Sequence, residues 1–479
     1  MSKPVRDTPL NDSTEVPCEA ETGSATSQGN HLLSEDISTL KLAGHILILS
    51  IPLGISAVAQ ISVGSVLVAF VGRMVGVEQL GATSLAFGLL YCTAMSLASG
   101  CSGALETMLS YTFGKNPNSK LFGVYTQRML LLLLIIAFVV GPFLAFSDIF
   151  LIAIHQDPTV AHYTGVFCRT ALIGVFPAMS LEVVRRYFAC QHLNNPLSVN
   201  LVAAALVFPF MVYGLISAFG FVGAPLAWSL LQIIMPTSLV VYMYVTKIYK
   251  RTWGGWDKSA IRNWGPLCKL AFPSMAMQLS EWGSLEVNCV TAGFATPPQL
   301  AAFSTVYMLS GILWSFSSGL YIMVSVLVGK SIGEGNSLLG RRCALICLFF
   351  TICFGILDNV ILVTLRHQIP RLFTDNEEAL ATFPTLLPFF CVYHVFDLIQ
   401  SCMMGVLRGC GMQSLGAVAI TLVFSIVGVP LGIIVFFTTE MGVAALWLGP
   451  AVGVTLVGFP MYIYLFLFQH QVDSIHPAR

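Results

Sequence analysis

The sequence predicts an all-α membrane protein with twelve transmembrane helices in two six-helix lobes, related by a pseudo-two-fold axis along the membrane normal. Three observations predict this fold: the composition, the number of long apolar segments and an internal duplication. Of 479 residues, 56% are hydrophobic and 10% are charged, whereas soluble domains carry about 25% charged residues. So few charges cannot cover a water-facing surface of this size, and lipid must cover it instead.

Twelve apolar segments are long enough to cross a bilayer as helices, which requires about 20 residues each. These spans lie near residues 40–70, 79–111, 121–147, 160–188, 197–219, 222–246, 265–293, 300–328, 342–365, 379–405, 414–437 and 442–468. The polar segment 247–264 is interpreted as a cytoplasmic linker between an N-lobe, residues 39–246, and a C-lobe, residues 265–468. Residues 1–38 are predicted to be a disordered cytoplasmic tail, and residues 469–479 a second cytoplasmic tail.

Lys and Arg in the short loops predict the orientation, because cytoplasmic loops carry an excess of them. The loops after even-numbered spans, with their flanks, hold Lys115, Lys120, Arg128, Arg185, Arg186, Lys247, Lys250, Arg251, Lys258, Arg262, Lys269, Lys330, Arg341, Arg342 and Arg408. The loops after odd-numbered spans hold only Arg73, Arg366 and Arg371. Both termini are therefore predicted to be cytoplasmic. We expect the plasma membrane as the location, with a vacuolar or other internal membrane as the alternative.

The two halves resemble each other at a nearly constant offset. The segment "QLGATS" (79–84) recurs as "QLAAFS" (299–304), and Arg186 and Pro52 correspond to Arg408 and Pro273. Because each repeat holds an even number of helices, both copies cross the membrane in the same sense and form a parallel repeat. Such repeats around a central cavity are the common design of secondary transporters.

Acidic residues within the spans break this symmetry. Glu281 and Glu286 lie in the seventh span and Asp397 in the tenth. Their first-half counterparts are neutral: Gln60, Ser65 and a residue close to Val175. An acidic side chain at the middle of a membrane costs roughly 2.5–3.5 kcal/mol on insertion scales, so such groups face a cavity or a partner. No Lys or Arg is expected deep in a span to pair with them.

Buried carboxyl groups of this kind suit the exchange of a proton for a cation. A carboxyl that titrates near neutral pH carries a proton, and once deprotonated it holds a cation. The predicted partners are therefore a small organic cation and the lipid bilayer, with H⁺ or Na⁺ as the coupling ion and no other cofactor. The zero formal net charge gives no reason to expect nucleic acid. We expect neither a metal site nor catalytic residues, and a monomer.

Helical spacing predicts which neighbours share the cavity. Gln278, Glu281, Ser284 and Asn288 recur every three or four residues and lie on one face. Glu286 lies about 140° from Glu281 on a straight helix, so it reaches the same cavity only if the cavity is broad or the helix bends. His394 shares a face with Asp397; it either relays the Asp397 proton or is a hydrogen-bonded packing residue.

Other intramembrane residues leave alternatives open. Glu106 in the second span either belongs to a site in the N-lobe or bridges helices. Asp358 has no polar residues around it and is not assigned. Tyr307, Trp314 and Trp282 offer ring faces that attract organic cations, or they are packing residues.

Four segments resemble the multidrug and toxic compound extrusion family in its eukaryotic branch. They are "GALETMLSYTFGKNPNSKLFGVYTQR" (103–128), "VVRRYFACQHLNNP" (183–196), "SEWGSLE" (280–286) and "MMGVLRGCGMQSLGAV" (403–418). The resemblance covers residues 40–468 and implies export of organic cations and other xenobiotics against H⁺ or Na⁺ entry by alternating access.

The same resemblance implies roles for individual residues. The family's paired glutamates fall on Glu281 and Glu286, and its tenth-span acid on Asp397 with His394 beside it. The acid of its second-span motif falls on Glu106. In one respect this chain departs from similar animal members, because Tyr307 is followed by Met308 rather than by a glutamate.

Several other functions are compatible with the same fold. A flippase of lipid-linked oligosaccharides or an exporter of anionic metabolites, such as citrate or flavonoid conjugates, binds an anion and needs Arg or Lys in its cavity; none is expected here. A membrane enzyme lacks support, because no nucleophile–base pair, metal set or phosphate-binding loop is present in the sequence. A passive channel would not move its substrate up a gradient.

Overall fold

The structure is a computed structural model that describes residues 38–372 and 376–468. Twelve long helices account for most of these residues. They are α1 (Thr39–Met74), α2 (Glu78–Lys115), α3 (Leu121–Ala145), α4 (Pro158–Cys190), α5 (Asn194–Phe219), α6 (Gly223–Val245), α7 (Gly265–Ala292), α8 (Pro297–Gly333), α9 (Ser337–Thr364), α10 (Glu377–Gly409), α11 (Gln413–Thr438) and α12 (Gly442–Ile463). Within the described part of the chain no strand is formed. Of the two predicted tails, all residues except Ser38 lie outside the described residues.

The packing divides the chain after Leu42, and the lobes considered below belong to the unit that begins at Ala43. Ten helical segments among the described residues are long and apolar enough to cross a membrane, and one of them contains both α5 and α6. Helix α7 is not among the ten, because polar residues interrupt its apolar sequence. The ten apolar segments and α7 account for all twelve helices, and the predicted all-α fold of twelve helices in two lobes is confirmed.

The internal duplication is visible in the backbone. A short 3-10 turn, Gly220–Val222, directly precedes α6, and the corresponding turn, Gly442–Ala444, forms the first residues of α12. Gly220 and Gly442 both have a positive φ, 60° and 57°, which side chains other than glycine rarely adopt. The same break therefore starts the last helix of each lobe.

The two lobes touch where α2 of the N-lobe packs against α7 and α8 of the C-lobe. The backbones approach closely near the end of α2 that carries Lys115. A Cβ atom on Gly114 would lie 2.1 Å from the carbonyl oxygen of Lys330 on α8, so only glycine fits there. This end of the helices also carries the basic loops that predict the orientation.

The segment between the lobes packs along the N-lobe. Gln127 Nε2 on α3 donates a 2.7 Å hydrogen bond to the Gly255 carbonyl, and Arg128 Nη2 donates to the Ser259 carbonyl at 3.0 Å. A four-residue helix, Tyr249–Thr252, and a 3-10 turn, Lys258–Ile261, are its regular elements. These bonds attach the predicted linker to α3.

Candidate functional site: a cavity between the lobes

A cavity of about 440 Å³ lies between the two lobes. The three predicted coupling acids, Glu281, Glu286 and Asp397, all line it. The cavity falls within the range of small-molecule sites, about 300–1,000 Å³. The C-lobe therefore presents three carboxyl groups to one space of the size that a drug-like molecule needs.

Glu281 on α7 and Asp397 on α10 lie close enough for their charges to repel each other. Tyr393, one turn before Asp397 on α10, lines the same cavity. Tyr393 also packs against Trp447 of α12, with ring centroids 5.3 Å apart. An aromatic core thus holds the tenth-helix acid at the wall of the cavity.

Glu286 reaches the same cavity from another face of α7. The Tyr307 hydroxyl on α8 donates a 2.8 Å hydrogen bond to Glu286 Oε1. Gln278 and Trp282 also line the cavity. The cavity is thus broad enough to meet both faces of α7, as the predicted placement of Glu286 requires.

The rest of the predicted polar stripe turns away from the cavity. Asn288 Nδ2 donates a 3.0 Å hydrogen bond to the carbonyl of Leu446 at the start of α12. The hydroxyls of Ser284 and Ser425 lie 3.3 Å apart between α7 and α11. Neither Asn288 nor Ser284 lines the cavity, because their side chains face α12 and α11 instead. Asn288 thus joins α7 to α12.

His394 lines the cavity, but its ring pairs with a different acid from the one predicted. His394 Nε2 lies 3.1 Å from Asp358 Oδ2 on α9, and Phe390 stacks on the ring at a centroid distance of 5.6 Å. The predicted relay to Asp397 therefore has no direct bond in this structure. The unassigned Asp358 gains a partner, which sequence spacing could not show because 36 residues separate the two.

The N-lobe wall of the cavity carries basic residues, and the expectation that the cavity holds no Arg or Lys is wrong. Arg185 and Arg186 on α4 both line the cavity. Arg185 Nη1 lies 2.8 Å from Glu182 Oε1 and also donates to Gln60 Oε1 on α1. Both arginines were counted with the basic flank at the cytoplasmic end of the fourth span, and α4 continues past them to Cys190.

Arg186 is held by Glu106, and this answers the question left open about Glu106. Arg186 Nη1 lies 2.8 Å from Glu106 Oε2 on α2, and Glu106 is 1% exposed. Glu106 does not line the cavity. It therefore bridges α2 to α4 inside the N-lobe, and Glu182 forms ion pairs with both arginines.

The two walls differ in their charge balance. Each basic residue of the N-lobe wall has a carboxylate within 2.8 Å. Across the part of the chain that the structure describes, no ion pair includes Glu281, Glu286 or Asp397. The unpaired charge at the cavity is thus negative and belongs to the C-lobe, which favours a cationic guest.

Aromatic side chains complete the wall. Trp282, Tyr307 and Trp314 line the cavity, as do Tyr91 and Cys92 of α2. The last two lie in a single π-helical turn, Tyr91–Met95, a distortion that is frequent at functional sites. Ring faces next to carboxylates attract protonated or quaternary amines.

Comparison with known proteins identifies the family. The MatE family model matches residues 52–214 and again residues 273–434, and the two matches reproduce the internal duplication. The chain is 29% identical to Multidrug and toxin extrusion protein 1 of Xenopus tropicalis over 433 residues, which cover 90% of this chain and 74% of that protein. It is 31% identical to the Homo sapiens protein of the same name over 383 residues, 79% of this chain and 67% of that one.

Solved structures share the fold. The crystal structure of the eukaryotic MATE transporter AtDTX14 matches with a TM-score of 0.83 and 23% identity, covering 91% of this chain and 97% of that one. A MOP superfamily transporter from Pyrococcus furiosus matches with a TM-score of 0.82 and 17% identity over 95% of this chain and all of that one. The chain therefore belongs to the multidrug and toxic compound extrusion (MATE) family, whose members are multi-pass membrane transporters of small organic compounds.

Proposed function

We propose that this chain is an antiporter that exports organic cations in exchange for protons by alternating access. The observation that carries the proposal is the unpaired set of Glu281, Glu286 and Asp397 at one cavity between the lobes. These carboxylates bind either protons or a cation, because both compete for the same negative charge. A cation is thereby released on one side when protons arrive, and it is bound on the other side when protons leave.

The closed contact between the lobes supports an order of events. With the orientation predicted from Lys and Arg, the contact of α2 with α7 and α8 lies at the cytoplasmic end. In this conformation protons from outside reach Glu281 and Asp397 and displace the cation. The lobes then separate at the cytoplasmic end, the protons leave, and a new cation binds.

The ion gradients supply enough free energy for such exchange. Moving one charge across the membrane is worth about 2.3 kcal/mol per 100 mV. A pH difference adds about 1.4 kcal/mol per unit. Exchange of one proton for one monovalent cation moves no net charge, so the pH difference alone drives it, and one pH unit supports about a tenfold cation gradient. A second proton per cation would add the contribution of the membrane potential.

The test is uptake of tetraethylammonium into liposomes that contain the purified protein, after a pH jump, with and without sodium. We expect uptake driven by the proton gradient alone, and at least a tenfold loss in Glu281→Gln and Asp397→Asn. Asp148→Asn is the matched control. Asp148 lies on the short helix Ser147–Ala153, pairs with Arg169 of α4 and does not line the cavity. Full proton-driven transport by both carboxyl variants would refute the proposal. Uptake that requires sodium would show that Na⁺, and not H⁺, is the coupling ion.

Export of anionic metabolites is a second candidate, favoured by Arg185 and Arg186 at the N-lobe wall. In that case citrate or a flavonoid conjugate would compete with tetraethylammonium or be transported in its place. The ion pairs of both arginines with Glu182 and Glu106 support the cation exporter instead. Competition experiments in the same liposomes separate the two.

We further propose that the protein acts as a monomer in the plasma membrane with both termini in the cytoplasm. The excess of Lys and Arg in the loops after even-numbered spans supports this orientation. Labelling of the termini in intact and permeabilised cells tests it.

A further inference from the structure

Arg408 is a buried cation without an acidic partner. It lies near the end of α10, is 2% exposed, and has no carboxylate within ion-pair distance among the described residues. Its Nη2 donates one long hydrogen bond, 3.4 Å, to Gln278 Oε1. Its Nε and Nη1 have no hydrogen-bond partner. Such a charge is costly to bury unless another group compensates it.

The internal repeat shows what Arg408 lacks. Its equivalent in the N-lobe, Arg186, has Glu106 at 2.8 Å. The C-lobe position that corresponds to Glu106 is close to Val326 on α8 and carries no acid. The duplication has thus kept the arginine in both lobes, but only the N-lobe retains the local carboxylate.

Arg408 and Glu281 share a second, small cavity. Its volume is about 10 Å³, close to the minimum for one water molecule. Gln278 and Tyr321 also line it, and the Arg408 guanidinium lies 5.1 Å from the centre of the Tyr321 ring. Glu281 lines both this small cavity and the large one. The charges of Glu281 and Arg408 therefore attract each other across a space of the size that one bridging water needs.

We propose that Arg408 is a positioning residue for the coupling site and provides the counter-charge of ionised Glu281, through Gln278 and a water in the small cavity. The inference rests on the proposed function, in which Glu281 passes through an ionised state. With Arg408 behind it, Glu281 stays ionised between the loss of a proton and the arrival of a cation.

The position of Arg408 links this charge to the contact between the lobes. Thr107 Oγ1 on α2 donates a 2.6 Å hydrogen bond to the Arg408 carbonyl. A Cβ atom on Gly103 of α2 would lie 3.2 Å from Arg408 Nε, so α2 covers the guanidinium directly. A proton on Glu281 removes one of the two carboxylates that attract Arg408, the other being Glu106, and so reduces the compensation of its charge within this contact. Protonation of the coupling site therefore weakens the contact that must open next.

Other charged and titratable groups face the same site and must be separated from Arg408 in any test. They are Glu286 of α7, Tyr393, His394 and Asp397 of α10, Tyr307 and Tyr321 of α8, Tyr91, Cys92 and Glu106 of α2, Glu182, Arg185 and Arg186 of α4, and Tyr462 of α12. Helix α11, which also packs against α7, has no ionisable residue in its sequence. Glu106 is the one rival partner that attracts Arg408 directly.

The experiment measures equilibrium binding of tetraphenylphosphonium to the purified full-length protein between pH 5 and 9. In Arg408→Gln we expect the pH of half-maximal binding to rise by about one unit, because removal of a neighbouring cation favours the protonated carboxyl. At a fixed pH below the midpoint this is roughly a tenfold weaker affinity. Arg408→Lys keeps the charge and should keep the midpoint. Thr107→Val removes the bond to the Arg408 carbonyl without changing a charge, and should keep it too.

A double-mutant cycle identifies the partner of Arg408. In the Glu281→Gln background, Arg408→Gln should have no further effect on the pH midpoint. The inference is overturned if Arg408→Gln leaves the midpoint unchanged, if its effect persists in Glu281→Gln, or if its effect disappears in Glu106→Gln instead.

Thermal unfolding separates failure of this inference from failure of the proposed function. Glu281→Gln leaves Arg408 without its counter-charge, so the double variant Arg408→Gln/Glu281→Gln should have a higher Tm than either single variant. This readout needs no transport and remains available if Arg408→Gln alone folds poorly. If the wild-type protein binds no organic cation at any pH, the proposed function is wrong, and the Tm cycle alone decides whether Arg408 and Glu281 are partners. A double variant no more stable than the single ones overturns the pairing.

Discussion

The hydroxyl of Tyr307 donates a 2.8 Å hydrogen bond to the carboxylate of Glu286 and joins α8 to α7 at the wall of the cavity. The bond occupies one oxygen of Glu286 and leaves the other for a guest. The next residue, Met308, is half exposed and does not line the cavity. The departure of this chain from similar animal transporters at residue 308 therefore lies beside the cavity wall and not in it.

Tyr307→Phe should weaken cation binding while it leaves the ring in place. A hydrogen bond of this kind is worth about 1 kcal/mol, so we expect KM for tetraethylammonium to rise about fivefold with a smaller change in the maximal rate. Tyr307→Ala also removes the ring and should be worse. Kinetics of uptake in liposomes measure both. Wild-type KM in Tyr307→Phe would mean that the bond does not orient Glu286 for binding.

Asp358 should act through His394, whose Nε2 lies 3.1 Å away. In Asp358→Ala the buried His394 ring loses its partner, which costs about 1–3 kcal/mol of unfolding free energy. Asp358→Asn keeps a side-chain oxygen that accepts from Nε2–H, so it should be milder in both Tm and transport rate. The order Ala worse than Asn is the expected result. The reverse order would show that the carboxylate does not hold the ring.

The sequence predicted the fold and the acidic wall because both depend on local features. Apolar segments of sufficient length specify helices, and Glu281, Glu286 and Asp397 stand out because acids are costly in a membrane. Their position at one cavity was predictable because repeats of this kind surround a central cavity. Helical spacing also placed Gln278 on the wall with Glu281, although it placed Ser284 and Asn288 there wrongly.

The partners of these residues depend on distant contacts and were not predictable. The bonds of Tyr307 to Glu286 and of His394 to Asp358 join residues 21 and 36 positions apart. Arg186 was counted with the basic flank of the fourth span because basic residues mark membrane boundaries, yet α4 carries it into a buried pair with Glu106. A signal was present: an acid in the second span is costly unless a base compensates it.

Glu106→Gln should strongly destabilise the N-lobe. Arg186 Nη1 and Glu106 Oε2 are 2.8 Å apart and both side chains are almost fully buried. Removal of one partner leaves an uncompensated buried charge and costs about 3–5 kcal/mol. Glu106→Gln/Arg186→Met removes both charges and should recover much of this loss. Thermal unfolding of the three proteins measures it. A double variant no more stable than Glu106→Gln would contradict a paired role.

His192 should make stability depend on pH at the contact between the lobes. It lies between α4 and α5, and its Nε2 is 3.4 Å from Lys330 Nζ on α8. Burial, and then the charges of Lys330 and His45, hold the pKa of His192 well below its usual value. The unfolded state therefore binds more protons than the folded state around pH 6. The contribution of neutral His192 to the stability of the fold is fully present above about pH 6.5.

The stability that His192 contributes should thus be lost as the pH falls below about 6.5. His192→Gln keeps an oxygen that accepts from Lys330 but does not titrate, so its Tm should fall less between pH 8 and pH 5.5 than that of the wild type. His45→Gln is the control, because His45 is the other histidine that interacts with Lys330. If His192→Gln follows the wild-type profile while His45→Gln flattens it, the pH dependence belongs to His45. Parallel profiles for all three proteins would show that neither histidine takes up its proton on unfolding in this range.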